Sequence, residues 1–164
     1  MSCNPDIRTV LYASDLNDGC EAALACAIGL ANRLGARLLV LTVIDEQRER
    51  SLIDIDSHVP QPMLDQYHDD RVKRVLAHIQ AQIAAFYAVR PDEAPANPII
   101  ELIVREGDDV PKAILDEAAH GNADLIVMTS EGKGLLSSLL FGGAVQEVMR
   151  RTRKPLLLLP AGED

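Results

Sequence analysis

Leu38-Leu39-Val40-Leu41-Thr42-Val43-Ile44, opened by Arg37 and closed by Asp45, is a nearly unbroken apolar run. A strand with one face in water alternates apolar and polar residues. A run without alternation suits a strand buried on both faces, as in a parallel sheet covered by helices. Upstream, from Glu21 onward, Leu24, Ala27, Ile28, Ala31 and Leu34 recur at helical spacing, and Gly35 stands where a left-handed C-terminal cap belongs. Before that helix, Thr9 to Ala13 is short, apolar and β-branched at its start, and it stops at the capping and turn residues Ser14-Asp15-Leu16-Asn17-Asp18-Gly19. Two strands joined through a helix make a βαβ unit.

The same alternation continues downstream. Asp45 to Gln61 is charged and turn-rich and reads as a surface loop. Pro62 to Val89 reads as a long helix with Val72, Val75, Leu76, Ile79, Ile83 and Phe86 on one face. Pro91, Pro95 and Pro98 exclude helix. Ile99 to Val104 then reads as a strand, with Glu101 marking an edge where one side chain reaches water. Gly107-Asp108-Asp109-Val110-Pro111 supplies a turn, an N-cap carboxylate and a first-turn proline, so a helix runs from there to about His120-Gly121. Asp124 to Met128 is a fourth strand, Gly143 to Thr152 a fourth helix, and Leu156 to Leu159 a last strand. Strands alternating with helices require parallel pairing and right-handed crossovers. The expected architecture is a single α/β domain over residues 1–164, a doubly wound five-stranded parallel sheet with helices on both faces.

Composition narrows the function classes. The 164 residues are 48% hydrophobic and 25% charged, and no apolar run approaches the roughly 18 to 20 residues of a membrane span. Met1 to Asp6 lacks a signal-peptide pattern, which leads to the expectation of a cytoplasmic protein without a membrane partner. The net charge of −9 opposes the phosphate-driven term of nucleic-acid binding, and 3% aromatic residues leave little for base stacking, so no nucleic-acid partner is expected. Cys3, Cys20 and Cys26 contain no C-x-x-C pair; Cys20 and Cys26 are expected to pack as small apolar residues. His58, His68, His78 and His120 show no metal spacing, and His68-Asp69-Asp70 reads as a solvated helix face. No Gly-x-Ser-x-Gly elbow, Gly-x4-Gly-Lys-Ser/Thr loop or complete Gly-x-Gly-x-x-Gly is present, and no catalytic residues are assigned.

In an open parallel sheet, ligands bind beyond the C-terminal strand ends at the point where strand order reverses. The loop from Thr129 to Gly143 stands out there, with Gly132, Gly134, Gly142 and Gly143 among the chain's ten glycines. Gly142-Gly143 precede a helix whose free N–H groups and positive dipole end favour an anion. The segment Thr129 to Lys154 carries +3, so the remainder carries −12. Arg150, Arg151, Arg153 and Lys154 belong to the helix C-terminus, which leaves Lys133 as the candidate phosphate cation.

Val10-Leu11-Tyr12-Ala13-Ser14-Asp15, the run at 41 to 45, Asp124-Leu125-Ile126-Val127-Met128, and Gly132 separated by nine residues from Gly142 together resemble the universal stress protein family along essentially the whole chain. The resemblance implies the α/β fold, homodimerisation and, in one branch, ATP binding through a Gly-x2-Gly-x9-Gly-Ser/Thr loop. Here Thr129 occupies the first glycine position, Gly132 and Gly142 keep the next two, and Gly143 replaces the Ser or Thr. Glu131 stands where the family often has His, and its carboxylate repels a triphosphate unless Mg²⁺ lies between them. Asp15 corresponds to the acidic residue that contacts the nucleoside, Val43 to the position whose main chain meets adenine, and Ala13 and Met128 to its apolar walls. Ser14, beside Asp15, and Ala144 and Val145, at the helix start, complete the candidate nucleotide site.

The last strand, Leu156-Leu157-Leu158-Leu159, is apolar on both faces and expected at an edge. Antiparallel pairing with a second copy would cover it, as the resemblance implies. The expectation is a homodimer that binds ATP or AMP, with Mg²⁺ where the triphosphate is bound, as a regulatory ligand with little or no turnover. The alternative is a member that binds no nucleotide and acts as a dimeric interaction module through the loop 45–61 and its acidic surface.

Overall fold

The computed structural model describes residues 6–14, 20–45, 60–94, 100–130 and 143–160. Strands β1 (Thr9–Ser14), β2 (Arg37–Asp45), β3 (Ile100–Gly107), β4 (Leu125–Ser130) and β5 (Leu156–Pro160) alternate with helices α1 (Cys20–Leu34), α2 (Gln61–Ala88), α3 (Val110–His120) and α4 (Gly143–Arg151). All strand pairs are parallel, in the order β3-β2-β1-β4-β5. The chain thus winds outward in one direction from β1 to β3 and in the other from β4 to β5. The reversal falls between β1 and β4.

Strand periodicity sorts the core into two layers. Val10, Tyr12, Leu38, Val40 and Val127 face α1 and α2, meeting Leu24, Ala27, Ile28, Val75, Ile79 and Phe86. Leu11, Ala13, Leu39, Leu41, Ile126 and Met128 face α3 and α4, meeting Ile114, Ala118, Val145 and Val148. Residues 38–41 of β2 are at most 1% exposed, as the unbroken apolar run requires. Gly35 ends α1 in the left-handed region at φ 61°. Asp109 caps α3 by accepting from the Lys112 N–H at 2.9 Å, with a proline in its first turn. Asp124 ties the sheet at its opposite end, its carboxylate accepting from the N–H groups of Arg8 (2.9 Å) and Thr9 (3.1 Å).

Three expectations are corrected. Strand β4 continues two residues past Met128, because Thr129 and Ser130 pair with Leu159 and Pro160, and the Ser130 hydroxyl donates to the Leu159 carbonyl at 3.2 Å. Strand β3 continues through Arg105, Glu106 and Gly107 in register with Val43, Ile44 and Asp45, since a charged residue at a sheet edge keeps its side chain in water. Cys26 is exposed rather than packed, because the buried stripe of α1 runs through Ala23, Leu24, Ala27 and Ile28 and leaves position 26 outside it. The loop expected over residues 46–59 lies outside the described residues. Among those described, no helix is long and apolar enough to cross a membrane.

The C-terminal turn of α3 divides two tasks between neighbours. Asn122 takes the left-handed conformation (φ 52°), while Gly121 lets the backbone approach the sheet. A Cβ at Gly121 would overlap the Cδ1 atom of Leu39, the end of a fully buried side chain that would have to shift within the core. Gly121→Ala is therefore expected to destabilise the protein by about 1–3 kcal/mol. A urea midpoint equal to that of the wild type would contradict the close packing described.

Candidate functional site

The row Met128, Ala13 and Leu41 crosses β4, β1 and β2 at one register level on the α3/α4 face. Larger side chains flank a single methyl group, so the row is a trough with Ala13 at its floor. Beyond it lies a cleft of about 470 Å³ at the C-terminal strand ends, between the starts of α3 and α4. That volume lies within the range of roughly 300–1,000 Å³ usual for small-molecule sites. The place is also the one that the strand order singles out, next to the switch between β1 and β4.

Eight of the sequence candidates line the cleft: Ala13, Ser14, Val43, Met128, Thr129, Gly143, Ala144 and Val145. Asp15, Gly132, Lys133 and Gly142 lie outside the described residues. Thr129, at the first glycine position of the loop pattern, is 8% exposed and belongs to β4. A Cβ at Gly143 would meet nothing within 4 Å, so the position has room for a hydroxyl-bearing side chain.

The sequence reading missed the far wall. Leu41, Asp45, Asp108, Val110, Pro111, Ile114 and Glu147 also line the cleft. Leu41 is recoverable from periodicity, being two residues before Val43 and therefore on the same face. Val110, Pro111 and Ile114 occupy the first turns of α3, and only the strand order brings that helix start opposite α4. Asp45 and Asp108 close neighbouring strands, since Asp45 pairs in register with Gly107.

The cleft has an apolar floor and a polar rim. Ser14 and Thr129 bring hydroxyl groups, Gly143 opens α4, and the carboxylates are Asp45, Asp108 and Glu147. No Lys, Arg, His or Cys lines it among the described residues. The basic residues of α4 form ion pairs: Arg150 contacts the cleft-lining Glu147 at 2.7 Å, and Arg151 lies 4.0 Å from Asp109, joining the end of α4 to the cap of α3. This agrees with their assignment to the helix C-terminus. On α2, Asp69 and Asp70 are exposed, whereas His68 is half-buried, with Nδ1 shielded from water. Among the described residues, no group of three or more His, Cys, Asp or Glu is arranged to hold a metal ion.

Two edges bound the sheet. On β3, Glu101, Arg105 and Glu106 are exposed; Glu101 is ion-paired with Arg37, and Arg105 donates from Nε to the buried Glu117 of α3 at 2.9 Å. On β5 the corresponding residues are Leu156 to Leu159, of which Leu157 is 37% exposed.

Comparison with known proteins places this geometry in a lineage. The chain is 28% identical over 152 residues to the universal stress protein in the QAH/OAS sulfhydrylase 3′ region of Thermus aquaticus, covering 93% of this chain and 98% of that one. A universal stress protein solved in complex with cAMP superposes with a TM-score of 0.63 at 20% identity, covering 96% of this chain and 99% of the other. The universal stress protein of Archaeoglobus fulgidus in complex with dAMP gives a TM-score of 0.53 at 14% identity, over 93% of this chain and 96% of its own. The universal stress protein family model matches residues 6–160, which is nearly the whole chain, and so the protein belongs to the universal stress protein family.

Proposed function

We propose that the cleft binds an adenine nucleotide as a regulatory ligand and that the protein works as a homodimer of single-domain subunits. The observation that carries the nucleotide reading is the apolar trough of Met128, Ala13 and Leu41 leading to the start of α4. A flat heteroaromatic base suits the trough, and free N–H groups at a helix start suit a phosphoryl group. Val43 and Met128 flank the base, and the α4 start with Ala144 and Val145 holds the phosphoryl end. Asp15, Gly132, Lys133 and Gly142 are proposed to complete the site as the family resemblance implies. Fold relatives in complex with cAMP and dAMP support an adenine ligand. Mg²⁺ would enter with a triphosphate, as its counter-ion. Turnover is not part of the proposal.

The dimer reading rests on the contrast between the two edges. Charges guard β3, whereas β5 offers a row of leucines and an outer backbone edge that pairs with no strand among the described residues. Antiparallel β5–β5 pairing across a two-fold axis would cover both copies at once.

Heating the purified protein and chromatographing the released small molecules tests the ligand. Nucleotide release is expected, and AMP at about a hundred times its Kd should stabilise the fold by about 2.7 kcal/mol. Ala13→Leu fills the trough and should abolish that stabilisation while leaving a cooperative melt, and Gly143→Ser should increase it by adding a hydroxyl donor. Neither release nor stabilisation in the wild type would contradict the reading and favour an interaction module.

Sedimentation at micromolar concentration tests the assembly. The wild type is expected as a dimer and Leu157→Lys as a weakened one. A monomeric wild type would contradict the edge argument.

A further inference from the structure

We propose that the ion pair Asp109–Arg151 holds the α3 wall of the cleft in place, which makes Arg151, a residue outside the cleft, a positioning residue for its ligand. This rests on the nucleotide reading above and deepens it.

The cleft takes its helical walls from two elements. Val110, Pro111 and Ile114 line it from α3, and Gly143, Ala144 and Val145 line it from α4. Burial secures the α3 wall unevenly. The buried residues of α3 are Ile114, Glu117 and Ala118, all beyond its first turn, whereas Val110 and Pro111 are half-buried. Core packing therefore grips this wall at one end, and a helix terminus without such packing opens readily.

Two contacts of Asp109 fasten that first turn. Its Oδ1 accepts from the Lys112 N–H at 2.9 Å, which caps the helix, and lies 4.0 Å from Nη1 of Arg151, the last residue of α4. The second distance is too long for a hydrogen bond and within range of electrostatic attraction. The Lys112 ammonium runs along α3 to Asp116, at 2.5 Å, so the link to α4 is made by Arg151. Neither Asp109 nor Arg151 lines the cleft, and the pair acts on a ligand through the turn it fastens. A gap of about 0.5–1 Å forfeits roughly a quarter to a half of the dispersion energy of a contact. A small outward shift of Val110 and Pro111 thus loosens a base lying in the trough of Met128, Ala13 and Leu41.

Equilibrium dialysis of the full chain against AMP tests the inference. Asp109→Asn keeps a capping side chain and removes its charge, Arg151→Gln removes the partner's charge, and Arg151→Lys keeps it. Asp109→Asn and Arg151→Gln should each weaken AMP binding by about three- to fivefold, the upper range for an exposed ion pair. The double variant should bind no more weakly than either single one, because both remove the same link. Arg151→Lys should stay within about twofold of the wild type. Unchanged affinity in both single variants, additive losses in the double variant, or a loss in Arg151→Lys equal to that in Arg151→Gln would overturn the positioning role and leave the nucleotide reading intact. Failure of AMP to bind the wild type would overturn the nucleotide reading and this inference with it.

Discussion

Strand β1 is the member on which the rest of the sheet depends, because its backbone pairs with β2 on one side and β4 on the other. The two halves of the chain meet nowhere else in the order of strands. Val10, Leu11 and Tyr12 are fully buried, so both faces of β1 are committed to packing. The strand's end is different. Ala13 is small, Leu41 and Met128 stand beside it, and the helices that cover the sheet on this side, α3 and α4, both begin near this level. The trough follows from one short side chain at the end of a strand buried on both faces.

Parallel strand order then fixes what the trough can receive. Crossover helices start at the C-terminal strand ends, so their free N–H groups gather on the side where the winding reverses. α3 uses its start internally, with Asp109 accepting from Lys112. α4 begins at Gly143, which carries no side chain to cap it. Near that helix, Arg150 pairs with Glu147 of the cleft wall and Arg151 reaches Asp109 at the cap of α3.

Much of the architecture was legible in the residues. Continuous apolar runs marked β1, β2, β4 and β5 as parallel strands, Gly35 marked a helix end, and Glu101 marked an edge. Strand ends were less legible, because a partner decides them: Glu106 and Ser130 are polar, yet the ladder continues to Asp45 and Pro160 and keeps them in the strands. Half of the cleft was legible for the same reason that half was not. Ala13, Val43, Met128 and Thr129 lie near strand ends, where binding is expected, whereas Val110 and Ile114 read as ordinary positions of an amphipathic helix. Their role appears only when α3 is seen opposite α4. Cys26 shows the limit of composition, since a residue type that is usually buried stands here outside the buried stripe.

The central claim is that a nucleotide occupies the trough and the start of α4. Titrating AMP into uniformly ¹⁵N-labelled protein and following the amide resonances tests it most directly. The account expects the largest shifts at Ala13, Val43, Met128, Gly143 and Ala144, with the β3 edge and the exposed face of α2 unchanged. Saturable shifts elsewhere, or none at millimolar AMP, would contradict it.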